Sequence, residues 1–168
     1  MKTLLTLRHW QIFLLWVLSE IIFQNTIDTP YWLISTSIYG FIMIGWIYSI
    51  GKVLNKIDER NNNQKYHEDL WFGLAISLFL LLAYFSRSFS MSSNLMFFLI
   101  GILDVFCIFK LVNFSAKTLK QREENRDLKF TDYFGEFILI GSIILGFWII
   151  QPKLNKIIKA TIKQTPNA

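Results

Sequence analysis

Five apolar stretches dominate this chain and leave few folds open to it: residues 10 to 24, 31 to 51, 70 to 86, 95 to 113 and 133 to 151. Each approaches or reaches the roughly 20 apolar residues that a ~30 Å hydrocarbon layer demands of a spanning helix. Backbone polar groups in lipid have to be satisfied within the segment, so helix is the expected state of each. Little of the 168 residues is left over for a soluble domain, and 53% apolar with 17% aromatic residues lies outside the soluble globular range. The only cysteine, Cys107, falls inside the fourth stretch, which excludes an intrachain disulfide.

Lysine and arginine give the crossings a direction. The formal charge of +5 is carried mainly in the connections, a distribution that signals membrane sidedness rather than a nucleic-acid surface. Lys2 and Arg8 precede the first stretch, whose run is interrupted by Glu20 with no small-x-small site after it, so a retained anchor is expected. "NTIDTP" carries only Asp28 and "SRSFSMSSN" only Arg87, which places both connections outside. "GKVLNKIDERNNNQKYHED" holds Lys52, Lys56, Arg60 and Lys65, and "SAKTLKQREENRDLKFTD" holds Lys117, Lys120, Arg122, Arg126 and Lys129, which places both in the cytoplasm. Trp10, Tyr31, Trp32, Tyr48 and Trp71 fall near segment ends, where amphipathic rings favour the headgroup layer, whereas Trp16 and Trp46 lie deeper and are expected to pack.

A parity conflict then arises at the end of the chain. The tetrapeptide LNKI follows an apolar run twice, at 54 to 57 and at 154 to 157, and three apolar segments separate the copies. Three crossings would put similar exits on opposite sides. The tail carries Lys153, Lys156, Lys159 and Lys163 with no acid, and Leu154, Ile157, Ile158 and Ile162 recur at helical spacing opposite them. Such a basic amphipathic helix, 153 to 163, is expected to lie on an anionic leaflet, at ~1 kcal/mol per lysine. In each LNKI the leucine and isoleucine share one helical face suited to acyl chains. Segment 133 to 151 would then enter and leave by the same side, with Gly141-Ser142 as a turn between two eight-residue halves of ~12 Å each. The expected fold is thus an all-α integral membrane protein. Four transmembrane helices form two hairpins, followed by a re-entrant or fifth apolar helix and a C-terminal amphipathic helix, with the N-terminus cytoplasmic.

Charged residues inside the apolar stretches are the candidate intramembrane polar site. Asp104 sits mid-segment at a cost of ~3 kcal/mol, which thirteen Leu, Ile, Phe and Val at roughly 0.3 to 0.6 kcal/mol each outweigh. Gly101, Asp104 and Cys107 form a stripe expected to face other helices, with Asp104 as a proton or cation relay or as an interhelical hydrogen-bonding group. Glu20 lies near the outer end of its segment, Lys110 is placed to snorkel toward the cytoplasm, and Glu136 opens its segment where the helix dipole favours an acid or a vestibule would hold one. Small residues four apart, such as Gly45 and Ser49, favour close helix packing. His9 and His67 are the only histidines, no His or Cys pair has metal-ligand spacing, and no glycine loop is built for phosphate. No catalytic residue, cofactor or metal is therefore assigned. The expected partners are lipids and either a membrane protein or a second copy.

Three pieces of the second half carry a resemblance: "NFSAKTLK" (113 to 120), "FTDYFGEF" (130 to 137) and "GFWIIQPKLNK" (146 to 156). They resemble the F-x-x-K-x-L-K, D-Y-x-G-E-F and I-G-x-W-x-I-Q-P-x-I-N motifs of an uncharacterised family of small multi-span bacterial membrane proteins, over about 45 residues. "RHWQIFLL" near the start is similar too. In that family a proline often precedes the I-G pair, whereas Leu145 precedes Gly146 here. The resemblance implies a bacterial inner-membrane location and no particular activity. The function expected is a non-catalytic accessory, assembly or signalling component, with an oligomeric channel or small transporter lined by Asp104 as the alternative.

Overall fold

The computed structural model describes residues 7 to 57, 65 to 88, 95 to 124, 126 and 128 to 164. Among them the chain is all-helical: α1 (His9–Thr26), α2 (Trp32–Ile57), α3 (Lys65–Ser88), α4 (Leu95–Glu124), a 3-10 turn (Phe130–Asp132), α5 (Phe134–Gly141) and α6 (Ile144–Gln164). Among the described residues three spans, Trp32–Asn55, His67–Phe85 and Leu95–Glu124, are long and apolar enough to cross a membrane. The helix α1, with Gln11, Glu20, Gln24 and Asn25 among its 18 residues, is not one of these. At 30 residues α4 is ~45 Å long, more than the thickness of a ~30 Å apolar layer.

Helix α2 is the centre of the bundle. Its second half buries Ile44, Trp46, Ile47, Tyr48, Ile50 and Leu54 against the other helices. The ring of Phe147 on α6 meets that of Trp46 edge-on at 4.6 Å, and Phe72 on α3 stacks on Tyr48 at 4.3 Å. Tyr48 is therefore a core residue and not the interfacial ring expected from its position. Its hydroxyl donates to Asp69, which also pairs with Lys52 at 3.0 Å, so a buried ring sends its polar tip to the helix end. Trp46 packs as expected of a deep indole. On α4 the interior stripe is Asp104, Cys107, Leu111, Ser115, Ala116 and Leu119, and Ser115 closes the stripe by donating 2.7 Å to the Ile47 carbonyl. Leu103, Val105 and Phe109 point outward, the pattern of a helix with one face against protein and one exposed apolar face.

After α4 the chain makes a helical hairpin. The helix α5 ends where the Ser142 N–H returns to the Ile138 carbonyl at 2.8 Å, and Ile143 adopts a φ of 22°, a left-handed conformation that a β-branched residue seldom holds. The chain then doubles back. A Cβ on Gly146 would lie 2.8 Å from the Leu139 carbonyl oxygen and 2.8 Å from the Trp46 ring, so only glycine lets α6 pass this close to both.

The hairpin brings its ends to one end of the bundle. There, Gln151 and Asn155 of α6 donate to the Leu7 carbonyl at the start of α1 (3.2 and 3.3 Å), Lys52 of α2 pairs with Asp69 of α3, and Lys120 of α4 pairs with Glu136 of α5. Both LNKI copies also lie there, but not as expected. Leu54 and Leu154 are each fully enclosed by protein and pack in the core, so neither rests on acyl chains. Residues 153 to 163 likewise form no separate helix: α6 runs through Pro152 to Gln164, with Ile157 and Ile158 packed against the core. The side chains of Lys159 and Lys163 lie outside the described residues.

Candidate functional site

The four polar residues singled out in the apolar stretches do not come together. Asp104 is buried on the inner stripe of α4 together with Cys107, and its Oδ1 has no hydrogen-bond partner among the described residues. Gly101, one turn earlier, is less enclosed, and a Cβ there would meet nothing within 4 Å. Glu20 accepts a hydrogen bond from Gln24 one turn along α1 (2.9 Å), a local surface contact. Lys110 is exposed, with its ammonium 5.2 Å from the Phe106 ring centre. Glu136 is buried at the start of α5, and it does have partners from other elements.

Those partners belong to the three sequence pieces quoted above. Lys120 of the first reaches Glu136 of the second at 3.5 Å, and Lys153 of the third reaches the same carboxylate oxygen at 3.6 Å. Tyr133 of the second donates 3.1 Å to Asn113 of the first. The acids of the α4 end complete the network: Glu123 pairs with Lys153 at 3.3 Å and Glu124 with Lys120 at 3.2 Å. Arg126 bridges Glu124 (2.8 Å) and Asp132 (3.6 Å), and the Asp132 carboxylate also accepts from the Lys129 N–H at 3.0 Å, closing the 3-10 turn. Glu136 has a side chain only 10% exposed between two cations, whereas its partners are more open at 22% and 40%. The arrangement is a clamp of opposite charges that holds the hairpin against α4. Reading charges one segment at a time misses it, because Lys120, Glu136 and Lys153 lie on three different helices. The pairs Lys120–Glu123 and Lys120–Glu124 do follow helical spacing and are visible in the sequence.

Beside the clamp is a cavity of about 350 Å³ bounded by α2, α3, α4 and Tyr133. Its polar lining comprises Asn55, His67, Glu68, Lys110, Asn113, Lys117, Thr118, Gln121 and Arg122, with Leu54, Trp71 and Phe114 as apolar wall. On α4 the positions 110, 113, 117 and 121 fall on one helical stripe, the sequence signal that would have found it. A second depression, apolar and about 480 Å³, runs along α2 between Ile34 and Ser49 and is closed on one side by Phe72. Among the described residues no group of three or more His, Cys, Asp or Glu side chains is placed to hold a metal ion.

No protein-family model, no curated protein and no solved structure matches the chain.

Proposed function

We propose that the protein is a small polytopic component of a bacterial inner membrane, without catalysis of its own, that acts as an accessory, assembly or signalling subunit by packing its helices against another membrane protein or a second copy. The observation that carries this reading is the apolar groove on α2. Ile34, Ile38 and Phe41 are large and exposed along it, and a Cβ at Gly45 in its floor would meet nothing within 4 Å. Helices in lipid gain little from burying apolar area, so association favours faces built with small residues, and Gly45, itself buried, leaves room for a further side chain above it.

In this reading α1 to α4 are four crossings in two hairpins. The α5–α6 hairpin enters and leaves by the cytoplasmic side, where α1 begins and α6 ends. Support comes from the basic connections after α2 and α4 and from the gathering of helix ends at one pole of the bundle. A photocrosslinking residue at Ile38 or Phe41 in native membranes is expected to give protein adducts, whereas one at Leu103 or Val105 on the outer face of α4 gives lipid adducts only. Gly45→Leu should remove the protein adducts. Protein adducts absent from the groove, or equal at both faces, would reject the association.

A second reading, an oligomeric channel or small transporter, is favoured by one observation, the buried Asp104 oxygen without a hydrogen-bond partner among the described residues. Asp104→Asn in proteoliposomes should then abolish a proton- or ion-linked flux that the wild type shows, and absence of any wild-type flux ends this reading.

A further inference from the structure

The charges at the inner pole of the bundle are divided unevenly between two neighbouring faces. On the clamp face, Lys120, Arg126 and Lys153 are each paired with carboxylates of the chain. On the cavity face, Lys110, Lys117 and Arg122 have no carboxylate within ion-pair distance among the described residues, and Lys110 is engaged only with the Phe106 ring. The acids nearest in sequence, Glu123 and Glu124, are spent on the clamp, so these three cations line the 350 Å³ space without an ion-pair partner among the described residues. One carboxylate shares the lining. Glu68 is 7% exposed and likewise has no ion pair among the described residues.

Neutral donors accompany the cations. The Tyr133 hydroxyl occupies the Asn113 oxygen, which leaves the amide nitrogen of Asn113 as a donor, and Gln121 lies further along the same stripe. The height of the cavity is set by α4, whose apolar stretch ends near residue 113. Lys110 to Arg122 therefore bracket the boundary between acyl chains and headgroups, with Trp71 and Phe114 as the greasy wall. A volume of this size suits a polar headgroup or a small metabolite.

We propose that this cavity binds a phosphate ester that also carries a hydroxyl or ammonium donor, the phosphate held by Lys110, Lys117 and Arg122 and the donor by Glu68. Lysine and arginine are the side chains that bind phosphate oxygens by charge-assisted hydrogen bonds, and a lone phosphate would leave Glu68 facing a like charge. The same chemistry is presented by an anionic phospholipid headgroup of the inner leaflet and by a soluble phosphate ester.

The test uses the full chain in phosphatidylcholine nanodiscs, a lipid without net charge or hydroxyl or ammonium N–H donor. In one arm phosphatidylglycerol is titrated in and retained lipid is counted by native mass spectrometry. In the other, glycerol 3-phosphate or inorganic phosphate is added and the melting temperature followed. Wild type should retain phosphatidylglycerol at least about tenfold over phosphatidylcholine, and Lys117→Gln and Arg122→Gln should each weaken retention about tenfold, as expected for a lost charged hydrogen bond. Lys156→Gln, at an exposed lysine of the same pole, should change nothing. Glu68→Gln should weaken phosphatidylglycerol or glycerol 3-phosphate more than inorganic phosphate. A melting response to glycerol 3-phosphate that the same variants abolish, without lipid retention, assigns the site to a soluble ester. Equal retention of the two lipids by wild type together with no response to either soluble compound overturns the proposal without any variant being needed. A loss in Lys156→Gln as large as in Lys117→Gln overturns it too, since it would reduce the effect to surface charge.

Discussion

Trp46 and Gln151 meet in the interior of the bundle: the indole Nε1 donates to the Gln151 Oε1 at 3.0 Å, and neither residue has any exposed surface. The amide nitrogen of Gln151 donates onward to the Leu7 carbonyl, so one side chain joins α1, α2 and α6. Removing it strands the buried Trp46 N–H, a penalty of about 1–3 kcal/mol in soluble proteins, whereas the Leu7 carbonyl keeps Asn155 as a donor. Pairs between membrane helices measure lower, near 0.6 and up to about 1.7 kcal/mol, because the unfolded chain in lipid finds other partners. Gln151→Leu and Trp46→Phe are therefore expected to cost about 1–2 kcal/mol each in reversible unfolding from mixed micelles, from the lost hydrogen bonds and packing. The double variant should cost less than the two together, and strict additivity would show that the bond is not coupled.

The hairpin depends on one missing side chain. Gly146→Ala places a methyl 2.8 Å from the Leu139 carbonyl oxygen and from the Trp46 ring. The backbone oxygen cannot swing aside as a flexible side chain would, so a loss of about 1–3 kcal/mol, the usual cost of overpacking, is expected despite the better helix propensity of alanine. Gly73→Ala is the matched control, since its Cβ would meet nothing within 4 Å and alanine is favoured there by up to about 1 kcal/mol. Thermal denaturation of both variants measures the contrast, and equal melting temperatures would refute the close approach.

Glu136 is the least exposed member of the charge clamp, and the two lysines it joins belong to different helices. Glu136→Gln leaves Lys120 and Lys153 facing each other without the shared carboxylate. Breaking a buried pair costs about 3–5 kcal/mol, but these lysines are open enough to recover water, so about 1–3 kcal/mol is expected. Glu123→Gln, at a more exposed acid, should cost under about 1 kcal/mol. The readout is unfolding at low and at high salt, where added salt should shrink the Glu123 effect more than the Glu136 effect. A loss on Glu136→Gln no larger than that on Glu123→Gln would count against the clamp.

Much of the architecture is legible in the sequence because hydrophobic runs and basic flanks act locally. The apolar stretches all became helix, and the chain breaks between Gly141 and Ile144, at the small-residue pair that interrupts the last of them. What sequence alone assigned wrongly was the neighbour of a given face. Leu54, Leu154 and Tyr48 occupy positions suited to lipid or interface and are buried by protein instead, since hydropathy does not distinguish a greasy neighbour helix from an acyl chain. The clamp and the cavity required tertiary information of another kind. Lys120, Glu136 and Lys153 meet only because the hairpin folds back at Ser142 and Ile143, and Glu68 and Lys117 line one cavity only because α3 lies against α4. The polar residue that stood out most in the sequence, Asp104, is in neither.

The sidedness proposed for the chain rests on length as well as charge. The helix α5, of eight residues, is ~12 Å long, under half of a ~30 Å apolar layer, and Glu136 at its start and Lys153 beyond the turn are held at the same level by their ion pair. A hairpin of that reach that enters from the basic side ends inside the membrane, leaving its turn in the apolar layer. Cys107 is buried, so a Cys107→Ala background permits single cysteines to be introduced at exposed positions: Asp28 between α1 and α2, Leu95 at the start of α4, Ser142 at the hairpin turn and Lys156 on α6. With a membrane-impermeant maleimide on intact cells, Asp28→Cys and Leu95→Cys should label and Lys156→Cys should label only after the membrane is opened. Ser142→Cys should resist labelling from either side until detergent is added. Labelling of Ser142→Cys from outside would mean that the hairpin reaches the far surface, and labelling of Lys156→Cys from outside would mean that residues 133 to 151 cross, with the lysine-rich end of α6 outside the cell.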